Sequence, residues 1–319
     1  MARIQALDWS RDASTWPHAE SSRFVLADGW RWHVQHLGVQ PGSHAAHRPV
    51  VLLLHGTGAS AHSWRQLAPL LAQHHEVIAP DLPGHAFTRT EGRRPLTLPA
   101  MAEGVAALLR ALQRRPRWVI GHSAGAAVAA QMCLQGSVEP QALVALNGAL
   151  LPLQGSAGTL FSPLARWLAL NPFVPLFFAW QAAQPSVLRR LVDSTGSHID
   201  DEGRALYGRL VRDPSHAAGA LGMMASWDLR PLVRDLPKLR VPLDLIVGEG
   251  DRTLPPSQAE QVRALVPGAR LTRIPARGHL AHEEDAAGVW NVLKRLWPEL
   301  GCAGPARSEG CRERADATR

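Results

Sequence analysis

The chain has 319 residues, 46% of them hydrophobic and 19% charged, which is the composition of a globular protein with ample material for its own core. Its formal net charge of +7 rests on arginine, because Lys238 and Lys294 are the only lysines. No arginine cluster interleaved with aromatics falls on one predicted element. This excludes nucleic acid as an expected partner and leaves the excess as an arginine- and alanine-rich composition.

In chain order, residues 1–20 read as an amino-terminal arm without the apolar core of a signal peptide. Predicted strands at 24–27 and 30–37 flank Asp28-Gly29, a pair that favours the turn of a β-hairpin. Runs at 50–54, 76–80, 118–120 and 142–146 are continuously apolar or nearly so, as expected for strands covered on both faces. Helical stretches at 62–73, 97–114 and 124–135 alternate with them. Residues 21–149 therefore form the first part of an α/β core. Residues 150–228 break the rhythm with short, proline-separated helical segments rich in Leu, Phe, Trp and Ala, and read as a helical lid. Its most hydrophobic run, 167–180, is too short to span a bilayer and contains Asn171, Pro172 and Pro175. The alternation resumes over 229–300, with strands at 243–247 and 271–274 and helices at 256–266 and 283–297. Residues 301–319 lack apolar periodicity and read as a disordered tail. The expected fold class is α/β, a mostly parallel, doubly wound sheet with an amino-terminal antiparallel hairpin. Cys133, Cys302 and Cys311 show neither metal-ligand spacing nor a disulfide framework, so the expected setting is a reducing, cytoplasmic one. Peripheral contact with a membrane is compatible with that reading.

The chemistry centres on Gly121-His122-Ser123-Ala124-Gly125, a Gly-x-Ser-x-Gly sequence between an apolar strand and a small-residue helix. In that setting the glycines allow a turn tight enough to expose Ser123 at a strand end. A serine hydroxyl needs a base, and the base needs an orienting acid. Asp251 and His279 follow the strands at 243–247 and 271–274, at the same sheet edge as Ser123 and in the order Ser, acid, His. Glu249 and Asp244 are weaker candidates for the acid, one close to the strand end and the other inside the strand. His282 is expected to face away on the first turn of the last helix. His279, His282 and Glu283 lack the order of a zinc protease, so no metal is expected. His55-Gly56-Thr57-Gly58 follows the first buried strand, and the backbone N–H groups of Thr57 and Ala124 are the expected oxyanion donors. No Gly-Lys-Ser/Thr follows, which argues against a phosphate loop. The chemistry so read requires no cofactor.

Together these motifs resemble the α/β-hydrolase superfamily over about residues 20–298. Asp81-Leu82-Pro83-Gly84-His85-Ala86-Phe87-Thr88 is similar to that family's Asp-x-Pro-Gly-x-Gly-x-Ser loop, with Ala86 for glycine and Thr88 for serine. A serine at position 123 separates the chain from the dehalogenase branch, which carries aspartate there. A narrower resemblance is to the magnesium-chelatase accessory hydrolases of bacteriochlorophyll biosynthesis. It rests on Trp9-Ser10-Arg11-Asp12, Trp16-Pro17, Ser22-Arg23-Phe24-Val25, Trp30-Arg31-Trp32-His33-Val34-Gln35, Leu54-His55-Gly56-Thr57-Gly58-Ala59-Ser60 and His62-Ser63-Trp64-Arg65. The resemblance implies a pathway and the magnesium-chelatase subunits as partners, without fixing a reaction. The substrate expected is small, apolar and ester- or carboxylate-bearing, and a porphyrin fits that description. An aromatic lid suits a flat macrocycle, and Arg166, Arg189 or Arg190 are candidates to meet its propionates. The alternative is a non-catalytic protein that holds a porphyrin on a hydrolase scaffold.

Overall fold

The computed structural model describes residues 5–39, 48–90, 92, 94–152 and 184–302. Eight strands form one sheet: β1 (Ser22–Ala27), β2 (Trp30–Leu37), β3 (Val50–Leu54), β4 (Glu76–Pro80), β5 (Pro116–His122), β6 (Ala142–Leu146), β7 (Leu243–Gly248) and β8 (Arg270–Ile274). Their order is β1-β2-β4-β3-β5-β6-β7-β8. The pairings β1–β2 and β2–β4 are antiparallel and the rest are parallel. Asp28 and Gly29 both have positive φ, 49° and 67°, and close the hairpin between Ala27 and Trp30.

The period-two geometry of a strand sorts the apolar runs into two cores. Val50, Leu52 and Leu54 of β3 join one core, and Val51 and Leu53 join the other. The first is closed by α3 (Leu98–Ala111) and α4 (Ala124–Leu134). The second is closed by α2 (Leu67–Ala72) and a long carboxyl-terminal helix. Every residue of α4 from Ala124 to Ala130 is buried, and its small side chains let it lie close to the sheet. The arm contributes as well. Trp9, in α1 (Trp9–Asp12), and Trp16 meet Phe87 edge-on at 5.0 and 4.9 Å between ring centroids.

Two predicted helices are each divided. The stretch read as 62–73 is a 3-10 turn, Ala61–Trp64, followed by α2, because Ser60 caps the turn by accepting from the His62 N–H. Between β6 and β7 the described chain holds α5 (Pro185–Ser194), α6 (Asp201–Val211), α7 (Pro214–Ser226) and α8 (Arg230–Asp235). After β7 come α9 (Ser257–Leu265), α10 (Ala281–Glu284) and α11 (Ala286–Leu296). The stretch read as 283–297 breaks at Asp285, whose carboxylate accepts from the Gly288 N–H and starts α11 afresh. Cys133 is a free thiol and Cys302 is disulfide-bonded, a pairing that the cysteine spacing did not suggest. The segments 167–180 and 303–319, and Arg166, lie outside the described residues.

Asp244 is a fastening inside the sheet. Its buried carboxylate accepts from Arg270 Nε and Nη2 at 2.6 and 2.8 Å and from Trp297 Nε1 at 2.5 Å, joining β7, β8 and the end of α11. Replacing Asp244 with alanine leaves the indole N–H without its acceptor. It is expected to cost about 2 kcal/mol of unfolding free energy. Urea titration checks this as a lower midpoint at unchanged slope.

Candidate active site

The backbone is most constrained at Ser123, where β5 turns directly into α4. Ser123 adopts φ 50° and ψ −118°, a region that costs a non-glycine residue on the order of 1–3 kcal/mol. Its N–H donates to the Leu146 carbonyl at 3.0 Å, and its carbonyl accepts from Ala126 and Ala149. A Cβ at position 121 would lie 2.5 Å from the Ala126 nitrogen, and one at 125 would lie 2.1 Å from the Leu54 carbonyl oxygen. Only glycine fits either place.

His279 and Asp251 come from the loops after β8 and β7. Asp251 Oδ2 accepts from His279 Nδ1 at 2.8 Å, and both residues are buried. The other carboxylate oxygen, Oδ1, accepts the backbone N–H groups of Thr253 and Leu254 at 2.8 and 2.9 Å. With Nδ1 so engaged, Nε2 is the imidazole nitrogen left to face the cavity that Ser123 and His279 both line. Glu249 is exposed at the strand end and Asp244 is bound to Arg270, so neither meets His279. Asn147 was missed in the sequence. It follows β6 with φ 45° and donates Nδ2–H to Asp251 Oδ2 at 2.7 Å. The available signal was a polar Asn-Gly pair closing the apolar run 142–146 at the same sheet edge.

His282 does not line that cavity. It is buried, with its ring 4.5 Å from those of both His122 and Trp64. His122 in turn lies 4.8 Å from the His279 ring and donates Nε2–H to the His279 carbonyl at 2.9 Å. Burial holds His122 well below the usual imidazole range and His282 down at about 3. His279 therefore rests on neutral rings.

Thr57, Ala124 and Gly56 line the same cavity as Ser123. The Gly56 carbonyl accepts from His55 Nδ1 at 2.8 Å and from the Ala59 N–H at 3.2 Å. A trans peptide points its N–H opposite its carbonyl, so fixing that oxygen also fixes the direction of the Thr57 N–H. His55 Nε2 accepts from the Leu82 N–H at 2.8 Å, and burial keeps the ring neutral. Ala124 opens α4, where a backbone N–H has no acceptor within the helix. A Cβ on Gly56 would come within 3.0 Å of the Ser123 Cβ.

The cavity has a volume of about 790 Å³, and its walls include Leu188, Val192, Met223, Trp227, Leu254 and Leu280. Asp228 and Arg230, paired at 2.8 Å, line it where Arg230 is 83% exposed to solvent. Arg189 and Arg190 are exposed on α5 and do not line this wall. Among the described residues, no group of three or more His, Cys, Asp or Glu side chains is placed to hold a metal ion. No described helix is long and apolar enough to cross a membrane.

The family profile of the alpha/beta hydrolase fold matches residues 49–286. The chain belongs to this family. The chain is 40% identical over 88% of its length to the "Magnesium-chelatase 30 kDa subunit" of Rhodobacter capsulatus, covering 95% of that protein. It is 30% identical over 75% of its length to the "Pimeloyl-[acyl-carrier protein] methyl ester esterase" of Aromatoleum aromaticum, covering 96% of it. Among solved structures, the epoxide hydrolase CorEH superposes with a TM-score of 0.73 at 20% identity, over 88% of this chain and 99% of that one.

A second buried network joins the core to the helices between β6 and β7. Arg65 Nη1 donates to Glu283 Oε2 at 2.7 Å and Nη2 to Asp200 Oδ1 at 2.5 Å, while Tyr207 donates to Glu283 Oε1 at 2.8 Å. Burial pushes the Glu283 carboxyl up to about 7 against the opposing pull of Arg65. A carboxyl raised in the folded state favours folding below its ordinary value of 4.5, and that advantage is lost as pH rises through about 7. The wild type should therefore lose stability relative to Glu283→Gln between pH 5 and 8, by an amount on the order of 3 kcal/mol. Thermal melts of both proteins across that range check it, and a constant difference in Tm contradicts it.

Proposed function

We propose that this chain is a serine hydrolase that cleaves an ester-type bond in a bulky apolar substrate. The observation that carries the reading is the 2.8 Å bond from His279 Nδ1 to the buried Asp251 carboxylate, facing the cavity onto which the Ser123 turn opens. Ser123 Oγ attacks the carbonyl carbon as His279 Nε2 takes its proton. Asp251 holds the imidazole in the tautomer that leaves Nε2 basic and stabilises the imidazolium that forms. Asn147, on the same carboxylate oxygen, keeps Asp251 from turning away. Charge gathering on the substrate oxygen meets the Thr57 and Ala124 N–H groups, the second at the amino terminus of α4. His279 then protonates the leaving alcohol, and water activated by the same nitrogen releases the acid.

The apolar wall and the charged pair near its solvent-facing side suit an ester whose scissile end is buried and whose polar end stays at the surface. A porphyrin carrying an esterified propionate has that character, and so does a long-chain acyl ester. The relative named as a magnesium-chelatase subunit supports a role beside that enzyme, and the methyl ester esterase supports the reaction class. The same magnesium-chelatase relative also favours a second reading, in which the hydrolase scaffold holds a porphyrin without turning it over.

A fluorophosphonate probe separates the two. Under the hydrolase reading the folded wild type labels at Ser123, Ser123→Ala does not, and Asp251→Asn retains about 10⁻⁴ of wild-type turnover on p-nitrophenyl esters. Tight protoporphyrin binding by a folded wild type that neither labels nor hydrolyses these esters establishes the holding role instead. Complementation of a chelatase-pathway strain by Ser123→Ala reports whether the cell uses the reaction. Failure to rescue is the outcome expected of an enzyme.

A further inference from the structure

Helix α7 is attached to both loops that flank the proposed oxyanion site. His216, near its start, is buried and bridges them with its two ring nitrogens. Nε2–H donates to the Gly58 carbonyl at 3.1 Å, and Nδ1 accepts from the Ala86 N–H at 3.0 Å. Each bond is to a backbone group, so the ring reads loop geometry and not side-chain identity. The arrangement needs a neutral imidazole of one fixed tautomer, and burial with the neighbouring His85 ring keeps it neutral.

The Ala86 end of the bridge is a strained position. Ala86 has φ 40°, a left-handed conformation that favours glycine. It stands where the family loop it resembles carries glycine, so the strain belongs to this chain and needs a compensating contact. The His216 bond supplies one at that residue's own N–H. The Gly58 end is equally placed, since Gly58 also turns through positive φ, 75°, and follows Thr57 directly.

Two further residues on the same helical face act on the same loops, at the i+3 and i+7 positions. Gly219 lies on Gly84 so closely that a Cβ at 219 would sit 1.9 Å from the Gly84 carbonyl oxygen. Met223 is buried and its sulfur accepts the Thr57 hydroxyl at 3.7 Å. Thr57 is thus bracketed. Its preceding carbonyl is held by His55 and Ala59, its side chain by Met223, and the carbonyl that follows by His216.

We propose that His216 is a positioning residue for the oxyanion site, through which helix α7 holds the Thr57 N–H in its working direction. The proposal rests on the serine-hydrolase reading above. It makes this stretch of the insertion a fixed part of the catalytic scaffold.

The two arms of the bridge can be cut separately. The glutamine amide nitrogen occupies the place of Nε2, so His216→Gln keeps the donor to Gly58 and gives up the acceptor for Ala86. The asparagine oxygen occupies the place of Nδ1, so His216→Asn does the reverse. Fluorophosphonate labelling rate and p-nitrophenyl butyrate kinetics are measured for wild type, both variants and His216→Ala, with Tm recorded for each.

The expected result is a fall in kcat and labelling rate of roughly ten- to hundredfold for Asn and Ala, with KM within about twofold and the Gln variant within about threefold of wild type. Wild-type kcat in folded His216→Asn overturns the positioning role. So does a loss that follows Tm equally through Gln, Asn and Ala. Gly219→Ala, which pushes the helix off the loop without touching the histidine, should repeat the loss of kcat; wild-type kcat there overturns the role of the helix. A folded wild type that does not label at all overturns the hydrolase reading itself, and the positioning role falls with it.

Discussion

The approach of α4 to the ends of β3 and β5 is the constraint on which the rest of the site depends. The Leu54 carbonyl sits where any side chain at 125 would have to go, and α4 backbone fills the place of a side chain at 121. That contact forces Ser123 into a strained turn and brings the start of α4 beside the loop after β3. It also dictates composition downstream, because a helix pressed this close to a sheet must carry small side chains over its first two turns. The strain at Ser123 is offset by the backbone bonds to Leu146, Ala126 and Ala149, two of which reach beyond the helix. The position of Ser123 is therefore held by the sheet, and not by local preference.

Polar order around this turn is built with neutral histidine. His55, His122 and His216 are buried, and each bonds to backbone groups of the loops around Ser123. An imidazole can donate at one nitrogen and accept at the other, which makes it a rigid connector between a carbonyl and an amide. Burial disfavours the charged form of all three, so they add directional bonds without adding charge next to His279. Asp81, in the loop after β4, is a charged exception nearby. Its buried carboxylate accepts from His33 Nδ1 and from the backbone of Ala61 and Phe87, and these bonds hold it below the usual carboxylate range.

How much of this was legible follows from where each signal is written. Asp251 and His279 stand shortly after apolar strand runs and Ser123 lies in a Gly-x-Ser-x-Gly turn, so strand rhythm, motif and chain order together pointed to one sheet edge. The hairpin was readable because Asp28-Gly29 carries its own turn chemistry. Asn147 carries a weak version of the same signal and was passed over. His216 carries none, since its partners lie 130 and 158 residues away and its helix gives no sign of which loops it will meet. The helix read over 283–297 ran on too far for a related reason: helical spacing was extended through Asp285, where a side-chain cap ends one helix and begins the next. Cap chemistry decided those boundaries, as it did at Ser60.

The helices between β6 and β7, with the links between them, are joined to the loops after β3, β4, β7 and β8. Thr195, just past α5, accepts from the backbone N–H groups of both His279 and Arg252, the residue after Asp251. Ser197 accepts from the Leu280 N–H. Tyr207 of α6 reaches Glu283, four residues after His279, and α7 holds the loops at Gly58 and Ala86. The same helices supply the apolar wall through Leu188, Val192 and Met223. The shape of the cavity and the geometry of the proposed site therefore share one set of contacts. A change that reshapes the wall at α5 or α7 also shifts the His279 loop or the Thr57 loop, because packed interiors pass displacements to their neighbours. Under the serine-hydrolase reading, substrate range is consequently tied to the alignment of Ser123, His279 and Thr57, and the wall cannot be remodelled independently of them.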